Sequence, residues 1–271
     1  MRTRSLSQEG CRLLNIAYEK NTQHINLPAL LCSFFTSDFD IKLEKSCNKL
    51  RESTYRLYSY LNQKNIKSIP KLIDNAITNI IILVLTNEDK IAKLHRVKLN
   101  FKYYLSVAKL AYAQGDHQTV IIIRSALNNF NIQRLKLKIN KKDQIFLDNL
   151  DKEYGSFKDC CAGHLRQMLS NNNVDNFLPS LMILLIHLNK TKEYAKCYET
   201  IGSFPKELRN KQKELEKIVS NYYNNYKDYQ DEIIDLYEQD PNNNPVMKKL
   251  QGPINAKIFQ ISYEIKKKVK K

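Results

Sequence analysis

An all-α fold is predicted by three features of the chain. Only 6 glycines and 7 prolines occur among 271 residues, too little turn material for many short strands. Apolar residues recur at helical spacing in one long segment after another, and no segment reads convincingly as a strand. Hydrophobic residues make up 42% of the chain, which places it above disordered compositions and allows a sizeable core. The length suits one large domain or two small ones.

The elements follow in order. Residues 12–35 read as helix, with a break at "INLP" and a short apolar helix "ALLCSFF". "DIKLEKSCNKLRESTYRLYSYL" carries Leu43, Cys47, Leu50, Tyr55, Tyr58 and Leu61 at near-helical spacing, the mark of an amphipathic helix. Residues 1–66 are therefore expected to supply helices that pack on the main core. In "IPKLIDNAITNIIILVL" Pro70 suits a first helical turn, and the run becomes very apolar after Asn79. "TNEDKIAKLHRVKLNFKYYLSVAKLAYAQGD" reads as a helix with an acidic first turn, stopped by Gly115. The next helix, "HQTVIIIRSALNNFNIQRLKLKI", is broken at Asn128, Asn129 and Asn131. "KKDQIFLDNLDKEYGSFKDCCAGHLRQML" is expected to break at Gly155 or Gly163, and "SNNNVDNFLP" is a loop by composition. Pro179 then opens an apolar helix, and "KELRNKQKELEKIVSNYYNNYKDYQDEIIDLYEQD" is a long charged helix or a pair. "PNNNPVMKKLQGP" reads as a linker before a basic C-terminal helix, the two together making up residues 241–271.

A net charge of +16 favours acidic partners: nucleic acid, an anionic membrane or an acidic protein. No nucleic-acid motif accompanies the charge, so no nucleic acid is expected; lysines on the solvated faces of an Asn-, Ile- and Lys-rich chain are the preferred explanation. The terminal "KKKVKK" permits weak contact with anionic membrane. Six scattered cysteines without a CxxC spacing fit a reducing, cytoplasmic setting. The apolar run Leu181–Leu188 is far short of the roughly 20 residues that cross a bilayer, and no transmembrane span is expected. His24, His95, His117, His164 and His187 stand apart in sequence, with no HExxH; His117, after "GD", reads as exposed. Vicinal Cys160 and Cys161 read as packing thiols, and Tyr222, Tyr226 and Tyr229 have helix-packing spacing. No metal, cofactor or covalent catalytic constellation is expected.

Three stretches taken together resemble the catalytic domain of Ras-family guanine nucleotide exchange factors, over about residues 67–228. They are "IPKLIDNAITNIIILVL" with Thr78–Asn79; the order Val107–Ala108, Ala126–Leu127–Asn128 and Ile132–Gln133–Arg134–Leu135; and "NFLPSLMILLIHLNKTKEY" from Asn176 to Tyr194. The resemblance implies an exchange domain at 67–240 with a helical hairpin at about 179–228. That hairpin would open the nucleotide site of a small GTPase. By the family's pattern Glu193 matches the acid that enters the phosphate and magnesium region, and Asn189 the residue one turn earlier that obstructs the metal. Asn128 would hold or contact the GTPase near the hairpin base. Asn75, Thr78, Met182, Ile186 and Lys190 would face the GTPase, and Arg134 and Pro179 would be structural. The chain departs from the pattern at Met182 and Tyr194, where glycine is usual, at Asn75, where a base is common, and at Asn189, where apolar residues are common. Such domains are eukaryotic in character, so this composition fits a protist protein or a bacterial effector delivered to the host cytosol. Two other classes stay open from the residues alone: a non-catalytic helical adaptor, and a basic binder of nucleic acid or membrane.

Overall fold

In the computed structural model the described residues are 38–62, 65–154, 162–170, 176–199, 205–229 and 236–269, and they form an all-α fold. Eleven α-helices occur among them: α1 (Asp38–Ser59), α2 (Ile69–Leu85), α3 (Leu94–Ala113), α4 (His117–Leu127), α5 (Phe130–Gln133), α6 (Lys141–Tyr154), α7 (Ala162–Ser170), α8 (Leu181–Glu199), α9 (Lys206–Tyr226), α10 (Pro245–Lys248) and α11 (Ile254–Val269). The expected helix within residues 12–35, "ALLCSFF", Cys160 and Cys161 lie outside the described residues, as does His24.

The core is built on α2, α3 and α4, which pack on one another. Helix α2 buries Ile69, Ile73, Ala76 and Ile80, a stripe at helical spacing, and its apolar C-terminal half is covered nearly all round. Asn79 enters this core because its amide is satisfied: Nδ2 donates to the carbonyls of Leu236 and Gln239, both at 2.9 Å. Residues Ile66–Leu85 are, by length and mean hydropathy (20 residues, 1.5), long and apolar enough to cross a membrane, so apolar length alone did not exclude a span. Half of that window is buried inside the protein. Helix α1 lies on α3 and α9, with Cys47, Leu57 and Tyr58 fully buried, so the N-terminal part described here belongs to the same core.

Two local expectations are corrected. Thr86–Ile91 is not a helical first turn: Thr86–Asn87 pairs antiparallel with Lys90–Ile91, and Glu88 turns the chain with φ +56°. Helix α3 begins only at Leu94. "PNNNPVMKK" is not a loose linker; it folds into a 3-10 turn and α10, each capped by its preceding Asp240 or Asn244 side chain, and buries Pro241, Val246 and Met247. Of the two expected break points, Gly155 is the one that fits: α6 ends at Tyr154, and Gly163 sits inside α7.

Candidate functional site

The helical hairpin is α8 and α9, packed side by side. Its entry is the extended segment Phe177–Ser180, wedged between α4, α7 and α9. Every polar main-chain atom from the Phe177 carbonyl to the Leu181 amide that can bond is bonded. Tyr222 Oη donates to the Phe177 carbonyl. Leu178 N donates to the Gly115 carbonyl at 2.8 Å, and the Leu178 carbonyl accepts from His117 N and Gln118 N at 2.9 and 3.3 Å. Tyr58 Oη donates to the Pro179 carbonyl at 2.6 Å. Ser180 N donates to His164 Nε2 at 3.0 Å, and Leu181 N to Gln118 Oε1 at 2.8 Å. Ser180 then caps α8: its carbonyl accepts from Leu184 N at 3.0 Å and its Oγ from Ile183 N at 3.4 Å.

Gly115 makes room for this segment. Its φ is +72°, and an added Cβ would lie 2.2 Å from the Asn176 carbonyl oxygen. The next residue, Asp116, is buried and caps α4, accepting from Thr119 N at 3.0 Å and Thr119 Oγ1 at 2.6 Å. Burial lifts its pKa to about 6 against the pull of those bonds.

The apolar run Leu181–Leu188 is the inner half of α8. Leu181, Ile183, Leu184, Leu185, His187 and Leu188 are buried. The last buried residue is Thr191; from Lys192 to Tyr198 and from Pro205 to Glu214 no described side chain is buried. The helix therefore runs about 12 Å past its last buried contact. One stripe stays open along its length. Met182 is half-buried, Ile186 is 44% exposed, and Asn189, Lys190, Glu193 and Tyr194 are exposed. Among the described residues neither Asn189 nor Glu193 has a side-chain partner.

The other expected positions are not gathered on this stripe. Asn128 caps the C-terminal end of α4, where its Nδ2 donates to Asp151 Oδ1 at 3.2 Å, beside a groove lined by Phe101, Ile132 and Leu147. Asn75 donates to the Tyr237 carbonyl at 3.2 Å, and Thr78 is half-buried on the same helix. Arg134 stacks over Phe259 at 4.4 Å and faces Ser262, tying α5 to α11. Tyr222 is buried and Tyr226 stacks on Tyr55 at 4.7 Å, so these tyrosines pack on α1.

His117 is not exposed and the histidines are not all apart. His117 and His164, 47 residues distant in sequence, have ring centroids 5.0 Å apart, and Glu153 joins them. Donor atoms of the three lie within 4.8 Å of one another, a spacing open to a metal ion. The hydrogen bonds argue otherwise. His164 Nε2 accepts the Ser180 N–H, so a neutral ring carries its proton on Nδ1, the nitrogen without a protein partner. His117 Nδ1 is engaged by Tyr154 Oη, and Glu153 Oε2 accepts from Tyr112 at 2.9 Å. A ligating His164 Nδ1 would have to lose that proton while Nε2 still accepts. We therefore read the cluster as packing that grips the hairpin entry. Burial lowers the pKa of His117 to about 3 and of His164 to about 4, and raises that of Glu153. Sequence reasoning missed this cluster because its members converge only through α4, α6 and α7.

No family model matches the chain, and no curated protein matches it.

Proposed function

We propose that the protein is a guanine nucleotide exchange factor for a small GTPase of the Ras superfamily, acting through the α8–α9 hairpin. The observation that supports this reading is an exposed, unpartnered Glu193 and Asn189 one turn apart, on the uncovered half of a hairpin whose entry is fully hydrogen-bonded. A carboxylate so placed can compete with nucleotide phosphate for the GTPase's phosphate-binding lysine, while Asn189 obstructs the metal position. Ile186, Met182 and Lys190 extend the contact along the same stripe. Exchange of this kind is a binding reaction. A factor that stabilises the nucleotide-free GTPase weakens nucleotide affinity by the same factor, and no proton or covalent step is required.

A second reading, a helical adaptor that binds without exchange, is favoured by one specific observation. Asn128 and Asn75, which the resemblance turns toward a GTPase, are both engaged in internal hydrogen bonds. Release of a fluorescent GDP analogue from Ras-, Rap-, Rab-, Rho- and Arf-type GTPases separates the two. Acceleration on one of them supports exchange and names the substrate class. No acceleration on any, with the protein folded, leaves the adaptor.

A further inference from the structure

Nine large hydrophobic side chains are exposed among the described residues, and three of them meet around one guanidinium. Phe130 (66% exposed), Phe259 (46%) and Tyr263 (52%) surround Arg134, whose Cζ lies 5.8, 4.4 and 5.9 Å from their ring centres. The placement runs against the pattern of α11. That helix buries Ile258, Ile261 and Ile265 on one side, yet carries Phe259 and Tyr263 on the other, where polar residues belong. One turn further along the same outer face stand Lys266 and Lys267, followed by Lys268; Lys136 and Lys138 are exposed just after α5. Glu264 is the one acid of α11.

Exposed aromatics grouped with cations mark an interaction surface. We infer that this face of α11 and α5 is a docking surface for an anionic lipid bilayer. The charge is complementary: the lysines follow the aromatic pair along the helix, so rings can enter the headgroup layer while ammonium groups stay among lipid phosphates. Ring geometry favours lipid over single-stranded nucleic acid. Base stacking needs a free ring face. Arg134 covers one face of Phe259, and Tyr263 lies nearly parallel to that ring at 6.4 Å and 19°. The exposed carbon surface of Phe130 and Phe259 suits insertion. Nothing on this face depends on what the hairpin binds.

The chain has no tryptophan, so Tyr263→Trp places a single reporter in the surface. The full chain is mixed with phosphatidylcholine vesicles, with vesicles that also contain phosphatidylserine, and with a poly(dT) oligonucleotide. The expected result is sedimentation with the anionic vesicles only, together with a blue shift of the indole emission relative to buffer. Replacing Lys266, Lys267 and Lys268 by glutamine should lower vesicle binding about hundredfold, and Phe259→Ser with Tyr263→Ser should lower it further while leaving the fold intact. Three results would overturn the inference: no vesicle binding by the folded protein, binding without an emission shift, or binding to the oligonucleotide alone.

Discussion

The two halves of α8 are opposites. The inner half and its entry segment are mostly buried, and the main-chain groups of the entry are held by Tyr58, Gly115, Gln118, His164 and Tyr222, drawn from four separate places in the chain. Beyond Thr191 the outer half has no buried described side chain, and it carries an acid with no partner. A helix that is over-determined at its entry and flanked mainly by α9 beyond it has its direction set from the inner end. That combination suits a lever acting on a partner, and it predicts that mutations at the two ends do different things.

The largest effect is expected at Gly115. Alanine there combines a left-handed φ with a Cβ 2.2 Å from the Asn176 carbonyl, and the entry segment must move. Gly115→Ala should cost about 4 kcal/mol or more in urea unfolding. A loss below about 1 kcal/mol would show the entry to be loosely held.

Acid should loosen the same end. His164 accepts the Ser180 N–H only as the neutral ring, and its pKa falls from 6.5 to about 4 on folding. Its contribution is complete above pH 6.5 and is lost as pH falls from 6.5 towards 4, since the unfolded state then binds the extra proton. His117 has the same sign, while Asp116 and Glu153, with raised values, have the opposite one. Comparison with His164→Gln isolates the one group. Wild type should lose about 3 kcal/mol relative to that variant between about pH 7 and pH 4; parallel stability curves would remove His164 from the account.

Tyr58→Phe deletes one hydroxyl and leaves the buried Pro179 carbonyl unbonded, for an expected loss of about 2 kcal/mol. At the outer end Glu193→Ala and Asn189→Ala should change stability by less than about 0.5 kcal/mol. Thermal unfolding of all three variants draws the contrast directly, and a large loss at Glu193 would mean the outer half is not free.

Much of the scaffold was legible in sequence. Helix α2 was visible in full from Pro70 and its apolar run, and α9 from its charged, amphipathic pattern ending in tyrosines. Asn189 and Glu193 were singled out by the resemblance, and their four-residue spacing places them one turn apart on the same side of α8. What sequence could not give was tertiary. His117 after "GD" reads as exposed until Tyr154, His164 and Phe177 close over it. Val246 and Met247 read as linker because two isolated apolar residues among prolines and asparagines carry no period. Asn75 and Asn128 were expected to face a partner, but their internal hydrogen-bond partners lie 162 and 23 residues away, beyond any local signal.

The most direct test of the hairpin's role is the rate of GDP release from whichever GTPase responds, at saturating protein, for wild type against Glu193→Ala. Wild type should be faster by about tenfold or more while both proteins unfold at the same temperature. Equal rates would contradict the assignment of Glu193 and, with it, the exchange mechanism proposed for the hairpin.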